Sequence, residues 1–257
     1  MRFPHGSVLR ELLGREWRER YQGSLLGAAW LVLLPLAQLA VLAFVFGQLL
    51  PARSASAGMA YPVFLALGLF PWLLFANAVN RGVTTYLDHA GLIARVPLPP
   101  ALYVHARVLA SVLVDLAGFL VVLAVLLVFG LRPPVPGLLA ATAALAVLAL
   151  MALALARIAA LLQVFVRDLA PLVVQLTGLG FFLSPVLYER AQLPAPVAAA
   201  LGWNPLVAPI EAIRGGLSGS TALPWAALAT SAAAAVLLLG LSLALQRRAG
   251  RHLEDFL

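Results

Sequence analysis

The sequence predicts an all-α polytopic membrane protein with six transmembrane helices, an N-terminal interfacial amphipathic helix and two re-entrant helices between spans five and six. Of the 257 residues, 63% are hydrophobic and only 11% are charged, and the mean hydropathy is +1.00. A soluble domain needs a far more polar surface than this composition provides. Apolar runs long enough to cross a hydrocarbon core of ~30 Å recur along the whole chain. No separate soluble domain is therefore expected.

The first element is an interfacial helix in residues 1–23. Leu9, Leu13, Trp17 and Tyr21 recur at a spacing of four and share one helical face, while the other positions are mainly Arg and Glu. Such a helix is expected to lie flat at the cytoplasmic surface of the membrane. The alternative is a simple charged anchor for the first span.

The transmembrane domain is predicted over residues 24–245, followed by a cytoplasmic tail at 246–257. Its six apolar segments, each about 20 residues or longer, are 24–50, 61–79, 108–130, 138–161, 169–188 and 224–245. Six spans place both termini on one side. All 17 basic residues are arginine, and only Arg53, Arg132, Arg190 and Arg214 fall on the other side. The positive-inside rule therefore predicts cytoplasmic termini.

The longest cytoplasmic loop joins spans two and three. Its first half, Gly82–Ala94, predicts a short helix with Leu87, Ala90 and Ile93 along one side, and a group of prolines beginning at Pro97 prevents its continuation. A short rigid helix at this position offers a partner protein a surface to push against. A solvated loop is the alternative.

The connection between spans five and six, residues 189–223, predicts two short helices that dip into the outer half of the membrane. Its stretches Val197–Leu201 and Leu206–Ile213 are apolar, but four prolines prevent one continuous helix. Irregular backbone at that depth is tolerated only against protein or a water-filled cavity, which indicates an outer gate. Glu211 and Arg214 can meet on one helical face, either as a latch or as an ordinary ion pair.

Polar and aromatic residues inside the spans indicate a pathway. Asp115 and Arg157 lie near the cytoplasmic ends of spans three and four, where they need partners, and they could pair with each other. Aromatic side chains concentrate in spans one, two and five, and aromatic faces can stack on sugar rings. We therefore expect these spans to face a pathway or a partner subunit. The pathway candidates are Trp30, Gln38, Phe44, Gln175, Phe181, Phe182 and Tyr188.

Several function classes are excluded by what the chain lacks. Without cysteine it has no disulfide and no thiolate metal site. Without lysine it has no phosphate-binding P-loop, so any ATP must bind another chain. The four histidines lack metal-ligand spacing, so no catalytic or metal site is predicted. The excess arginine is explained by membrane orientation and does not indicate nucleic acid.

A set of short motifs occurs in a fixed order along nearly the whole chain. The motifs are RERYQGSLLGAAW at 18–30, LP at 34–35, GLFPW at 68–72 with Asn77, LIARVPLP at 92–99, RD at 167–168, FLSPVLY at 182–188, NP at 204–205 and EAIR at 211–214. In this order they resemble the type-2 ABC exporter permeases that move polysaccharides, O-antigens and teichoic-acid polymers.

This resemblance implies the permease subunit of an ATP-driven exporter in the bacterial inner membrane. Its substrate would be a lipid-linked polysaccharide or a polyol-phosphate polymer. The chain would form a homodimer with two copies of a separate ABC ATPase, which would bind the ATP and Mg²⁺, while this chain binds no cofactor. Alternatives are a type-2 exporter of drugs or lipids, or an ion-coupled secondary carrier.

The resemblance also implies roles for residues. The coupling residues that would contact the ATPase are Trp17, Tyr21, Gly82, Tyr86, Asp88, Leu92, Ile93 and Arg95. The outer gate would include Asn204, Pro205, Glu211 and Arg214.

Overall fold

A computed structural model describes residues 5–21, 23–45, 59–95, 98–220 and 223–249, and within these ranges the protein is helical and has no strand. The predicted end of span one at 46–50 and the tail beyond Ala249 lie outside the described residues. The helices are α1 His5–Tyr21, α2 Trp30–Phe44, α3 Tyr61–Val83, α4 Thr85–Asp88, α5 Ala90–Ile93, α6 Ala101–Val128, α7 Val135–Phe165, α8 Leu169–Phe182, α9 Ala195–Leu201, α10 Val207–Ser218 and α11 Trp225–Ala249.

Within the described ranges, five helical segments are long and apolar enough to cross a membrane. They are Gly27–Phe44, Tyr61–Val83, Ala101–Val128, Val135–Phe165 and Trp225–Arg248. The predicted fifth span, 169–188, is helical only as far as Phe182. Its 14 residues extend for about 21 Å, which is less than the hydrocarbon core. The polytopic all-α fold is confirmed, and the count of six spans stays a prediction because the fifth predicted span is short.

Helix α3 forms the centre of the bundle. In its most apolar stretch 72% of the residues are buried, against 6% for the span that contains α2. Helices α6 and α7 pack against α3, and α7 also contacts α10 and α11. Helices α2 and α8 lie at the periphery, α2 against α6 and α3, and α8 against α3 and α7. Much of the surface of α2 and α8 is therefore uncovered in one chain.

Small residues allow the helices of this core to approach closely. The buried face of α7 is rich in alanine, as is common where membrane helices pack without a hydrophobic driving force between them. At Gly82 of α3 an added Cβ would lie 2.5 Å from the Cβ of Ala156 on α7. At Gly137 of α7 it would lie 2.0 Å from the carbonyl oxygen of Gly216 on α10. Glycine is required at these contacts because any side chain would force the helices apart.

The loop between spans two and three differs from the single predicted helix. Helix α3 continues to Val83, and two one-turn helices, α4 and α5, follow. The Thr85 hydroxyl donates a hydrogen bond to the Gly82 carbonyl (2.7 Å), and His89 Nδ1 donates to the Thr85 carbonyl (3.0 Å). Such side-chain bonds compete with the regular helical ladder. We call residues 84–95 the coupling segment.

Two short helices are present between α8 and α11, as the proline pattern predicts. Helix α9 is exposed, whereas α10 is largely buried against α7 and α3. Helix α10 extends to Ser218, beyond the apolar stretch Leu206–Ile213. Its entry into the membrane stays a prediction.

Candidate coupling, pathway and gate sites

A buried carboxylate joins the N-terminal helix to the coupling segment. Glu16 of α1 is only 4% exposed, and its oxygens lie 3.3 Å from Arg81 Nη2, 3.4 Å from His89 Nε2 and 3.6 Å from Arg107 Nε. Arg107 also pairs with Asp88. We call Glu16, Arg81, Asp88, His89 and Arg107 the Glu16 cluster. It connects α1, α3, α6 and the coupling segment through polar side chains.

The electrostatics of this cluster favour an ionised Glu16. Burial, the largest single effect, acts to raise the pKa of the Glu16 carboxyl. The hydrogen bond from His89 and the positive charges of Arg107 and Arg81 together outweigh it, so the pKa is lowered. His89 Nδ1 faces the Thr85 carbonyl at 3.0 Å, and its Nε2 faces the Glu16 carboxylate at 3.4 Å.

Helix α1 uses a different face from the predicted stripe. Leu12 and Glu16 are buried, Leu9 is partly buried against the core, and α1 packs on α6. Trp17 is 39% exposed, and the side chain of Tyr21 lies outside the described residues. Glu16 is buried although it lies among the charged positions of α1, because Arg81 of α3 and Arg107 of α6 compensate the burial of its carboxylate.

The other predicted coupling residues fall into two groups. Asp88 and Arg95 are exposed and Leu92 is half-buried, so they lie on the surface of the coupling segment. Gly82, Tyr86 and Ile93 are buried and position that segment against the bundle.

Arg157 forms a second buried junction behind the coupling segment. Its Nε donates to Ser242 Oγ (3.1 Å), its Nη1 to His105 Nε2 (2.8 Å) and its Nη2 to Gln246 Oε1. Gln246 Nε2 donates in turn to the Tyr86 hydroxyl (2.9 Å). Burial raises the pKa of Tyr86 to about 12, so this phenol stays neutral. The junction links α4 with α6, α7 and α11.

Asp115 has other partners than the predicted Arg157. It accepts hydrogen bonds from Asn77 Nδ2 (3.1 Å) and from the Ser111 hydroxyl (3.3 Å). Because α6 begins at Ala101 and not near 108, Asp115 lies near the middle of the helix, about 21 Å from its start. The predicted start of this helical segment near 108 is therefore wrong, and the depth of Asp115 in the membrane stays a prediction.

Two of the predicted pathway residues line one cavity of about 450 Å³ between α2, α3 and α6. We call it the inner cavity. Its wall consists of Trp30, Leu31, Leu34, Pro35, Gln38, Phe70, Leu73, Asn77, Arg81, Val114, Asp115 and Gly118.

The other predicted pathway residues lie elsewhere. Phe44 on α2 and Phe182 on α8 are about 60% exposed, at 58% and 62%, and Gln175 is exposed on α8. The ring of Phe181 packs against that of Trp72, with centroids 6.1 Å apart. The Tyr188 hydroxyl donates to the Phe182 carbonyl (2.9 Å).

The predicted outer gate is built around Arg214. Its Nη1 donates to the Pro185 carbonyl (2.8 Å) and its Nη2 to the Val186 carbonyl (3.1 Å), and its guanidinium carbon lies 3.6 Å from the centroid of the Phe64 ring. Glu211 pairs with Arg190 at 3.2 Å. The predicted pairing of Glu211 with Arg214 is therefore wrong. Arg214 donates instead to main-chain carbonyls in the turn after α8.

Asn204 and Pro205 form the turn that leads into α10. The side chain of Asn204 donates to the Leu183 carbonyl (3.0 Å) and accepts from the Leu206 amide (3.0 Å). These bonds fix the start of α10 to the residues that follow α8.

Sequence reasoning missed Glu16, His89, Arg107 and Ser242 as functional or positioning residues. Only Glu16 carried a usable signal, since it continues the spacing of Leu9 and Leu12 along one helical face. The partners of these residues are distant in the sequence. In the described part of the chain no group of three or more His, Asp or Glu residues suits a metal ion.

Comparison with known proteins identifies the family. The model of the ABC-2 type transporter family matches residues 7–218. The chain belongs to the ABC-2 type transporter family. Membership confirms that this ABC-2 chain is a transport component and not an enzyme, and it implies an ATP-binding-cassette ATPase as its partner.

Curated relatives include two groups of permeases. The O-antigen export system permease protein RfbA of Myxococcus xanthus is 29% identical over 212 residues, which cover 80% of this ABC-2 chain and 78% of the relative. RfbA of Klebsiella pneumoniae is 25% identical over 207 residues, with 80% and 78% coverage. The polysialic acid transport protein KpsM of Escherichia coli is 25% identical over 207 residues, with 80% coverage of each chain.

Proposed function

We propose that this chain is the membrane permease of a polysaccharide exporter in a bacterial inner membrane, with both termini in the cytoplasm. Two copies would assemble with two copies of an ABC ATPase, which binds ATP and Mg²⁺, and would move a lipid-linked polysaccharide or a polyol-phosphate polymer. The names of the relatives support a glycan substrate over a drug or a free lipid, because RfbA exports O-antigen and KpsM transports polysialic acid.

The Glu16 cluster is the observation that carries the mechanism. A partner that pushes on the coupling segment reaches α1 and α6 directly through Glu16, Asp88 and Arg107, because these side chains are ion-paired. The push also reaches α3 through Arg81. Since α3 is the most buried of the five candidate membrane spans, its displacement would move every helix that packs on it.

The uncovered faces of α2 and α8 support a second copy. Gln175 is exposed on α8, and polar side chains on membrane helices generally face a partner helix or a water-filled path instead of lipid. A homodimer that buries α2 and α8 would place Gln175, Phe44 and Phe182 along the route between the copies.

Co-purification tests the partner. The chain is co-expressed with a candidate ABC ATPase from the same bacterium, and the recovered ATPase is measured for the wild type and for Trp17→Ala, which alters the exposed face of α1. The control is Trp203→Ala, an equal truncation at a side chain that is 89% exposed on the predicted outer side. We expect Trp17→Ala alone to reduce recovery.

Export is tested in a strain that lacks the gene, by detecting polysaccharide at the cell surface. Restoration by the wild-type chain, dependent on the ATPase, supports the proposal. Recovery of no ATPase, or uphill transport by the purified chain on an ion gradient, would contradict it.

A further inference from the structure

We propose that the inner cavity is a binding site for a neutral sugar unit of the transported glycan, with Asp115, Asn77 and Gln38 as its hydrogen-bonding groups. This inference rests on the proposed function for the glycan. It goes further by placing a saccharide site inside a single chain, among α2, α3 and α6.

The position of Asp115 needs an explanation beyond packing. A carboxylate near the middle of a membrane helix is costly, and such residues usually face a water-filled cavity or a functional partner. Asn77 and Ser111 hold the two carboxylate oxygens in place, at 3.1 and 3.3 Å. The wall of the inner cavity includes both Asp115 and Asn77.

Polar groups from three helices converge on this cavity. Gln38 comes from α2, Asn77 and Arg81 come from α3, and Asp115 comes from α6. A hydrogen bond that only joined α3 to α6 would not require Gln38 of the third helix to line the same space. A lipid acyl chain in this cavity would not require any of these four polar side chains.

The mixture of groups selects a neutral, hydroxyl-rich occupant. The Asp115 carboxylate accepts hydrogen bonds from hydroxyl groups and repels anions, while Arg81 in the same wall disfavours cations. The amide of Gln38 can both donate and accept. The wall also contains the aromatic side chains of Trp30 and Phe70, and aromatic faces pack against the apolar faces of sugar rings. At about 450 Å³ the cavity lies within the range of ordinary small-ligand pockets.

The absence of cysteine allows a direct test. Leu73→Cys places a thiol at an apolar position of the cavity wall and leaves all four polar side chains of the wall in place. The full chain is assembled with its ATPase in lipid nanodiscs, and the rate of alkylation by N-ethylmaleimide is measured. The probes are the methyl glycosides of glucose, mannose, galactose, rhamnose and N-acetylglucosamine, with inorganic phosphate as the anionic comparison. The control site is Gln192→Cys, which is exposed on the turn after α8.

We expect at least one glycoside to slow alkylation of Leu73→Cys and to leave Gln192→Cys unchanged. Adding Asp115→Asn, which keeps the shape and removes the charge, should weaken that protection by about tenfold, as expected for a hydrogen bond to a charged group. Ser111→Ala is the structural control, because Ser111 holds Asp115 but is not among the residues of the cavity wall. It should leave most of the protection intact.

Three results would overturn the inference. Protection by phosphate and not by any glycoside would identify an anion site. Alkylation that no solute changes would mean that lipid or a partner fills the cavity. Equal loss of protection in Ser111→Ala and Asp115→Asn would reduce the role of Asp115 to packing. If the wild-type complex still exports polysaccharide in any of these cases, the proposed function stands while the sugar site falls.

Discussion

The Glu16 cluster and the Arg214 site both bury charge, but they stabilise it in different ways. At the Glu16 cluster, one carboxylate is shared among Arg81, His89 and Arg107, which come from three other elements. At the second site Arg214 has main-chain carbonyls as its hydrogen-bond acceptors and the ring of Phe64 beneath it.

This difference separates a movable junction from a fixed one. Ion pairs between side chains can exchange partners when helices shift, because long side chains adjust their rotamers. Hydrogen bonds from Arg214 to the Pro185 and Val186 carbonyls fix the path of the backbone itself. We therefore propose that the Glu16 cluster transmits displacement between helices and that Arg214 forms a rigid boundary.

The largest effect is expected for Arg214→Leu. It leaves two buried carbonyls without their donors, which should lower the free energy of unfolding by about 3 kcal/mol or more. Thermal unfolding in nanodiscs measures this loss. The control is Arg190→Leu, whose side chain is 36% exposed in its pair with Glu211 and whose loss should cost about 1 kcal/mol or less. Equal effects of the two substitutions would refute the rigid boundary.

A smaller effect is expected for Glu16→Gln, which removes the charge at the centre of the Glu16 cluster. Arg81 and Arg107 then lose their shared counter-ion, and the docking of α1 should weaken by about 2 kcal/mol. Hydrogen exchange in α1 and ATP-coupled export both report the change. Glu19→Gln is the matched control, because Glu19 forms an exposed pair with Arg15. If both variants behave alike, the cluster has no role in transmission.

Tyr86→Phe tests the link behind the coupling segment. It removes the hydroxyl that accepts from Gln246 and should cost about 1 kcal/mol. Faster hydrogen exchange is expected in residues 84–95, with the Glu16 cluster intact. As a control, Tyr188→Phe removes an exposed hydroxyl that donates to the Phe182 carbonyl and should leave the coupling segment unchanged. Unaltered hydrogen exchange in Tyr86→Phe would show that the bond from α11 does not stabilise the coupling segment.

The smallest effect concerns pH. Because the pKa of Glu16 is lower in the folded protein than the usual 4.5, its ionisation stabilises the fold above the unfolded pKa. That stabilisation is lost only as the pH falls through the lower, folded value. Hydrogen exchange in α1, corrected for its intrinsic pH dependence, should therefore stay constant from neutral pH down to the usual glutamate range. An opening of α1 above that range would contradict the assigned charges.

The spans could be predicted because lipid demands long apolar segments, whereas the sites depend on contacts that the sequence does not display. The start of α6 at Ala101 was missed because 101–107 carries His105 and Arg107, whose buried partners lie on other helices. The burial of Glu16 was missed for the same reason, since Arg81 is 65 residues away. Arg214 was singled out from the sequence, but its hydrogen-bond acceptors are main-chain carbonyls. Residue types do not show which carbonyls a side chain will reach.

The contact between Gly137 and Gly216 has a mechanical consequence. The backbones of α7 and α10 touch there without intervening side chains, at the end of α10 that leads into Gly219. Sliding along α7 would drive a carbonyl group into the opposing helix, so this contact resists a shift of α10 along α7. The hydrogen bonds of Asn204 hold the opposite end of α10 to the residues that follow α8, so both ends of the helix are anchored.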